Sequence, residues 1–127
     1  MKIYHEMWKS IETHPQYEVS NLGRIKKVNG KRRYNNGYVR KPTKNSRGYL
    51  HVCFSRYPKN PISFTVHHLV TSAFLGQCPD GFYVNHVDGN KQNNRVDNLE
   101  YVTPSQNLTH AYRIGLRRGR GKNLAHC

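Results

Sequence analysis

A chain of 127 residues sets the scale at one domain, or one small domain with an appended module. Only 35% of it is apolar, too little for a large core or a large hydrophobic interface, while 21 Lys and Arg against seven Asp and Glu leave a formal charge of +14. Such an excess selects a polyanionic partner, since each phosphate contacted releases condensed counterions, but charge alone does not separate an enzyme from a basic structural or packaging protein. The opening "MKIYHEMWKS" has no apolar run, so neither a signal peptide nor a membrane span is expected. Three cysteines without C-x-x-C spacing predict no zinc knuckle and no disulfide framework, which fits a reduced, cytoplasmic compartment. The sequon at Asn107-Leu108-Thr109 is accidental in such a chain.

In chain order, "YEVSNLGRIKKV" (17–28) alternates through Tyr17, Val19, Ile25 and Val28, and predicts two strands around an "SNLG" turn. Asn-Gly and Arg-Gly breaks in the next stretch predict a meander of hairpins as far as Phe54. Its cations (Arg24, Lys26, Lys27, Lys31, Arg32, Arg33, Arg40, Lys41, Lys44, Arg47) are interleaved with Tyr34, Tyr38 and Tyr49, and no Asp or Glu occurs from Val19 to Pro79. We read this as a sheet offering cations to phosphates and aromatics to a groove, over the plainer reading of a solvated strand face. In "FTVHHLVTSAFLG" (64–76) the period changes: Leu69, Val70, Ala73 and Phe74 mark a core helix entered from a strand that ends near Val66, and Gly76 is its stop. His67 and His68 open that helix, and a structural role beside the apolar stripe is expected for both.

"FYVNHV" is the next strand, then a loop from Asp88 to Asn98 with Lys91 and Arg95 in it, then the strand "LEYVT" and a helix. Thr103 is a good N-cap, Pro104 suits the first helical position, and Gly115 lies past the last turn. Leu108, Ala111 and Tyr112 give this helix one apolar side. The glycine-rich tail 116–127, with Arg117, Arg118, Arg120 and Lys122, is expected to be unstructured when free and to run as an arm along a nucleic-acid backbone.

Strand, loop, strand and helix bring an unusual set of amides around one imidazole. Asn85 and His86 close the first strand, Asn98 stands where the loop rejoins the second, and Asn107 is four positions into the helix. Phosphodiester hydrolysis needs a base for water and a cation for charge on the phosphate and leaving oxygen. A neutral imidazole is such a base near neutral pH, and asparagine carbonyls are hard ligands for Mg²⁺ or Mn²⁺. Asn85 is thus a candidate metal ligand and His86 a candidate base, with Asn90, Asn93 and Asn94 as loop scaffolding and the Asn98 amide tying loop to strand. Neighbours in a regular strand face opposite sides, so service of one phosphate by both Asn85 and His86 predicts an irregular strand end.

"VHHLVTSAFLG", "VNHVDGNKQNNRVDNLEYVT" and "PSQNLTHAYRIG" resemble the HNH endonucleases of the phage homing type, which have a ββα-metal fold. "MWKSIETHPQYEVSNLGRIKKV" is similar to the small DNA-binding motif often found ahead of that nuclease, at Trp8, Ile11, Tyr17, Val19, Ser20, Asn21, Gly23 and Arg24. The two likenesses run to about Gly115. They imply His86 as general base, Asn85 and Asn107 as ligands of one divalent ion, Mg²⁺ or Mn²⁺, and Asn98 as the asparagine that orders the loop. His110, one turn past Asn107, is placed to reach the phosphate. Two departures stand out: many members have Asp where Asn85 stands, which removes a negative charge from the site, and others have His in place of Asn107.

The resulting expectation is an α+β protein. A β-rich DNA-binding module spans 1–63, a ββα-metal HNH unit 64–115, and a basic tail 116–127. Its partner is double-stranded DNA, with no membrane and no obligate protein partner, and a monomer with one site nicks one strand. The rivals are a DNA-binding module with an inactive site and a basic structural protein that binds RNA.

Overall fold

The computed structural model describes residues 5–28, 38–56, 59–106 and 125–126. The first sheet is an antiparallel meander of β1 (Trp8–Ile11), β2 (His14–Ser20), β3 (Ile25–Lys27) and β4 (Tyr38–Arg40), in that order. The second is another, of β5 (Thr43–Lys44), β6 (Leu50–Arg56) and β7 (Lys59–Thr65). Helix α1 (Val66–Phe74) leaves β7 without a break, as the change of period predicts. Gly76 follows it at φ +84°, a left-handed position that favours glycine. The third sheet has the order β10-β8-β9, from β8 (Tyr83–His86), β9 (Leu99–Val102) and β10 (Ala125–His126), with a 3₁₀ turn at Val96–Asn98 leading into β9.

The apolar residues are too few for two cores, and they make one. Ile11, Tyr17, Val19 and Ile25 from the first sheet join Tyr49, Val52 and Phe54 from the second, Val66, Leu69 and Val70 of α1, and Val84 and Leu99 of the third sheet in one buried cluster. Tyr17 and Phe54 stack with ring centroids 3.9 Å apart. Full burial of one such ring contributes roughly 1.5–3 kcal/mol. The expected boundary at residues 63/64 falls inside β7, and the core runs across it. The alternation of the early strands marks an inward face but does not reveal what that face packs against.

After β9, Thr103 and Gln106 form a reciprocal cap: Gln106 Oε1 accepts from the Thr103 N–H at 2.9 Å, and Thr103 Oγ1 accepts from the Gln106 N–H at 3.3 Å. The helix start predicted at Thr103–Pro104 is present, while Asn107, His110 and the expected stop at Gly115 lie outside the described residues. Two expectations are corrected at the C-terminal end. Ala125 and His126 do not belong to a loose arm; they pair with Val84 and Tyr83, closing an edge of β8 that would otherwise expose unpaired backbone groups. Cys78 is disulfide-bonded, its partner lying outside the described residues, whereas Cys53 is free and exposed. Spacing along the chain does not reveal a pairing made through the fold. Among the described residues no helix is long and apolar enough to cross a membrane.

Candidate active site

The end of β8 is regular. Asn85 pairs with Glu100 and His86 with Leu99 in unbroken register, so the irregular strand end expected from the sequence is not found. The two side chains leave on opposite faces, as a pleated strand requires. Asn85, 3% exposed, donates from Nδ2 to Glu100 Oε1 at 2.9 Å. His86, 4% exposed, packs edge-on against His67 with centroids 5.4 Å apart and lies 5.9 Å from the Tyr49 ring. Its Nε2 is 2.9 Å from Asn94 Oδ1. An amide oxygen only accepts, so Nε2 carries the ring proton and Nδ1 the lone pair. Burial lowers the His86 pKa below its usual 6.5, and the bond to Asn94 and the charge of Asp88 offset this only in part. The imidazole is therefore neutral at pH 7, the form a base needs.

His67 keeps the surroundings of that ring uncharged. Burial, with the neighbouring His68 and His86, pushes its pKa down to about 3. Its Nδ1 and Asn94 Nδ2 are buried without a hydrogen-bond partner among the described residues. His68, half-buried, sits 2.8 Å from Thr65 Oγ1 through Nδ1.

The loop between β8 and β9 is tied together by Asn98 and Asp88. Asn98 Oδ1 accepts from the Asp88 N–H at 3.0 Å, and its Nδ2 donates to Asp88 Oδ1 and the Asn93 carbonyl, both at 2.9 Å. The Asn98 carbonyl accepts from the Val87 N–H at 2.8 Å. Asp88 further accepts from the Asn90 N–H and from Asn93 Nδ2, each at 2.8 Å. Burial pulls its carboxyl upward, but these hydrogen bonds outweigh that and hold its pKa below the usual value. Lys91 Nζ donates to the Arg47 carbonyl at 3.0 Å and lies 5.0 Å from the centre of the Tyr49 ring, beside His86.

The early "SNLG" turn braces the same loop. Asn21 Oδ1 accepts from the Met7 N–H at 2.7 Å and its Nδ2 donates to the His5 carbonyl at 3.0 Å, while its own carbonyl accepts from the Val96 N–H at 2.9 Å. Gly23, at φ +85°, lies so close to the loop that a Cβ there would come within 2.9 Å of the Asn94 carbonyl oxygen.

Of the cations expected to meet DNA, Arg24 is paired with Glu6 beside Trp8, and Lys26 lies 3.5 Å from Glu18 and 4.2 Å from the Trp8 ring centre. Lys27 and Arg40 lie 5.9 and 5.8 Å from the Tyr17 ring centre, and Arg40 also donates to the Cys53 carbonyl. Arg95 is 3.4 Å from Asp97, and Lys41 is exposed. Lys31, Arg32, Arg33, Arg117 and Arg118 lie outside the described residues.

No group of three or more His, Cys, Asp or Glu that could hold a metal occurs among the described residues. The donors at hand are the Asn85 amide and the Glu100 carboxylate beside it. Such an oxygen-rich, singly charged set fits a hard ion that keeps several waters and completes its shell on a phosphate, as Mg²⁺ and Mn²⁺ do. Sequence reasoning missed Asn94 as the partner of His86, Glu100 as the partner of Asn85, and Asn21 as a clasp. An asparagine among many carries no mark of its contacts, and only the register β8–β9 selects Glu100.

The model of the HNH endonuclease family matches residues 64–109, and that of the NUMOD4 motif matches residues 6–55. YosQ, an SPbeta prophage-derived protein of Bacillus subtilis (strain 168) classed with HNH homing endonucleases, is 46% identical over 72 residues, 57% of this chain and 42% of that protein. The uncharacterized HNH endonuclease L245 of Acanthamoeba polyphaga mimivirus is 38% identical over 100 residues, 79% of this chain and 28% of that one. The DNA endonuclease I-HmuI of Bacillus phage SP01 is 32% identical over 102 residues, 80% of this chain and 55% of that one. A solved structure of the HNH homing endonuclease I-HmuI, described for its DNA binding and cleavage, superposes with a TM-score of 0.73 at 29% identity, over 89% of this chain and 62% of that one. The chain thus spans less than two thirds of the length of each of these proteins.

Proposed function

The chain belongs to the HNH endonucleases, with a NUMOD4 motif ahead of the nuclease domain, and on that premise we propose that it hydrolyses phosphodiester bonds of duplex DNA with a divalent ion. The observation that supports this best is the state of His86: buried, neutral, and held through Nε2 by Asn94, so that Nδ1 is the basic atom. In that role Nδ1 takes the proton of the attacking water. Asn85 and Asn107, the two positions the family likeness marks as ligands, would hold the ion, and when bound it would supply charge neutralisation at the phosphate and the leaving oxygen.

Asn98 holds the loop in shape, and Lys91, steered over Tyr49, offers a cation next to the base; His110 would serve as a further contact to the phosphate. Lys41 and the basic stretches 31–33 and 117–118 supply backbone contacts to the duplex. With one His86 and one metal site, a monomer addresses one strand at a time and nicks.

Supercoiled plasmid incubated with the protein and Mg²⁺ or Mn²⁺ tests this reading. Open circles should form first, linear DNA late and only with excess protein, and chelator should stop both. Binding without cleavage in either metal would establish the rival reading, a DNA-binding module whose site is inactive. Linear product from the earliest times, at a rate rising with the square of protein concentration, would establish a dimer that cuts both strands.

A further inference from the structure

Two cations meet where the two segments of the chain touch. Arg47 lies in the NUMOD4 segment and Lys91 in the nuclease segment, and Lys91 Nζ donates to the Arg47 carbonyl at 3.0 Å. We propose that Arg47 and Lys91 together seat one DNA phosphate that neighbours the one attacked, so that both segments grip the same strand in register. This rests on the nuclease reading above and adds to it a site for a phosphodiester that is not cut.

Charge and position select that ligand. Neither cation has a carboxylate within ion-pair distance among the described residues, whereas Arg24, Lys26 and Arg95 each do. Both act on Tyr49. Lys91 Nζ lies 5.0 Å from its ring centre, and while burial raises the Tyr49 pKa, the charge of the exposed Arg47 opposes that rise. The same ring centre is 5.9 Å from that of His86. One aromatic ring therefore separates the cations from the base. Successive phosphates of a strand rise about 3.4 Å along the duplex axis, so a phosphate seated here is within about three nucleotides of the one attacked. The partner Lys91 now holds is a neutral carbonyl. A phosphate oxygen carries a full charge in its place, and so competes for Nζ when DNA arrives.

Both cations stand on turns already in shape. Asn45 Oδ1 accepts from the Arg47 N–H at 2.9 Å and from the Tyr49 N–H at 3.0 Å. Gly48 lies beside the Lys91 stem, where a Cβ would stand 3.5 Å from Cδ. On the other side, Asn90 accepts from the Gln92 N–H through Oδ1 and from the Asn93 N–H through its carbonyl, each at 3.0 Å. Groups so fixed need little further ordering on binding, and the energy of holding one phosphate goes into placing the next.

The test is a fluorescence titration of the full chain with duplex DNA in chelator, across salt, for Arg47→Gln, Lys91→Gln and the double variant. Arg47→Gln keeps the backbone carbonyl that Lys91 bonds, so it removes charge and leaves the brace between turn and loop in place. The slope of log affinity against log salt is about 0.9 per phosphate contacted. Two cations on one phosphate predict that the double variant loses about 0.9 of slope, with an affinity loss smaller than the two single losses multiplied together. A drop of about 1.8 with independent losses puts the cations on separate phosphates and overturns the proposal, as does an unchanged slope. If Lys91→Gln does not fold, Arg47→Gln alone decides: a reduced slope supports the seat and the parent's slope overturns it. For the register, single-turnover nicking at saturating protein should slow about tenfold or more in each single variant, and rates equal to the parent's overturn it. The slope is read without cleavage, so a chain that follows it but never cuts DNA refutes the nuclease reading and leaves the phosphate seat intact.

Discussion

Replacing Asn94 by aspartate changes one atom pair and inverts the electrostatics of the proposed base. In the parent, Asn94 Oδ1 accepts from His86 Nε2 at 2.9 Å and burial keeps the ring neutral. A carboxylate in the same place sits about 4 Å from the centre of charge of an imidazolium. At an effective dielectric of about 20 that attraction is roughly 4 kcal/mol, or near three pKa units, and opposite charges at such range shift a pKa by about 1–3 units in practice. The shift is upward, against the burial effect. A base must be neutral to act, so the acid limb of the pH–rate profile should move to higher pH by about 1–3 units. The assay is single-turnover nicking of plasmid at saturating protein from pH 5 to 9, run in Mg²⁺ and again in Mn²⁺. Asn94→Asp should lose about tenfold in rate for each pH unit below its new limb and recover at high pH, with the same displacement in both metals. Asn94→Ala should instead slow the reaction without an upward move, since a buried N–H left without acceptor costs about 1–3 kcal/mol. An acid limb that stays where the parent's is, in Asn94→Asp, refutes the assignment of Asn94 and His86 as one unit.

The His67 pKa, near 3 in the native state, lies below the 6.5 of an unfolded histidine, so the unfolded chain takes up the proton first as pH falls. Stability should therefore decline from about pH 6.5 downward by up to about 1.4 kcal/mol per pH unit from this group, and urea midpoints should show a flatter decline in His67→Phe; an unchanged slope contradicts a buried neutral ring. Gly23→Ala and Gly76→Ala both place a side chain at φ near +85°, costing about 1–2 kcal/mol each, but only at Gly23 does the new Cβ meet backbone, at Asn94. Gly23→Ala should thus lose more stability, and should slow nicking more than it weakens DNA binding; equal effects of the two changes in chemical denaturation would remove the "SNLG" turn from the site. Changing Arg117, Arg118, Arg120 and Lys122 together to glutamine should reduce the slope of log affinity against log salt by about two to four units, at about 0.9 per phosphate released, and no change in a fluorescence titration makes these cations bystanders.

Elements with a local cause were legible in the sequence. The start of α1 shows as a change of period, the turn at Gly23 as "SNLG", and the N-cap at Thr103 as a threonine followed by proline, while its reciprocal partner Gln106 emerges only in the fold. Asn98 was legible as a tie because it stands where loop and strand rejoin. What was not legible depends on pairing across distance. Glu100 gains its meaning from register with Asn85, Asn94 from the fold of a loop that also holds Asn90 and Asn93, and Asn21 from a contact with Val96 some 75 positions away. The shared core escaped for the same reason: the strand pattern of Tyr17 and Val19 announces a buried face, but Phe54 and Val70 supply what covers it only once the chain has folded.

The central claim is that His86 is the base, and His86→Ala tests it most directly when cleavage and binding are measured on the same duplex. Single-turnover nicking in Mg²⁺ should fall by about 10²–10⁴-fold, while the dissociation constant for the duplex in calcium or chelator, and the urea midpoint at pH 7.5, remain near the parent's. A variant that nicks within a few-fold of the parent, with folding and binding intact, contradicts the account.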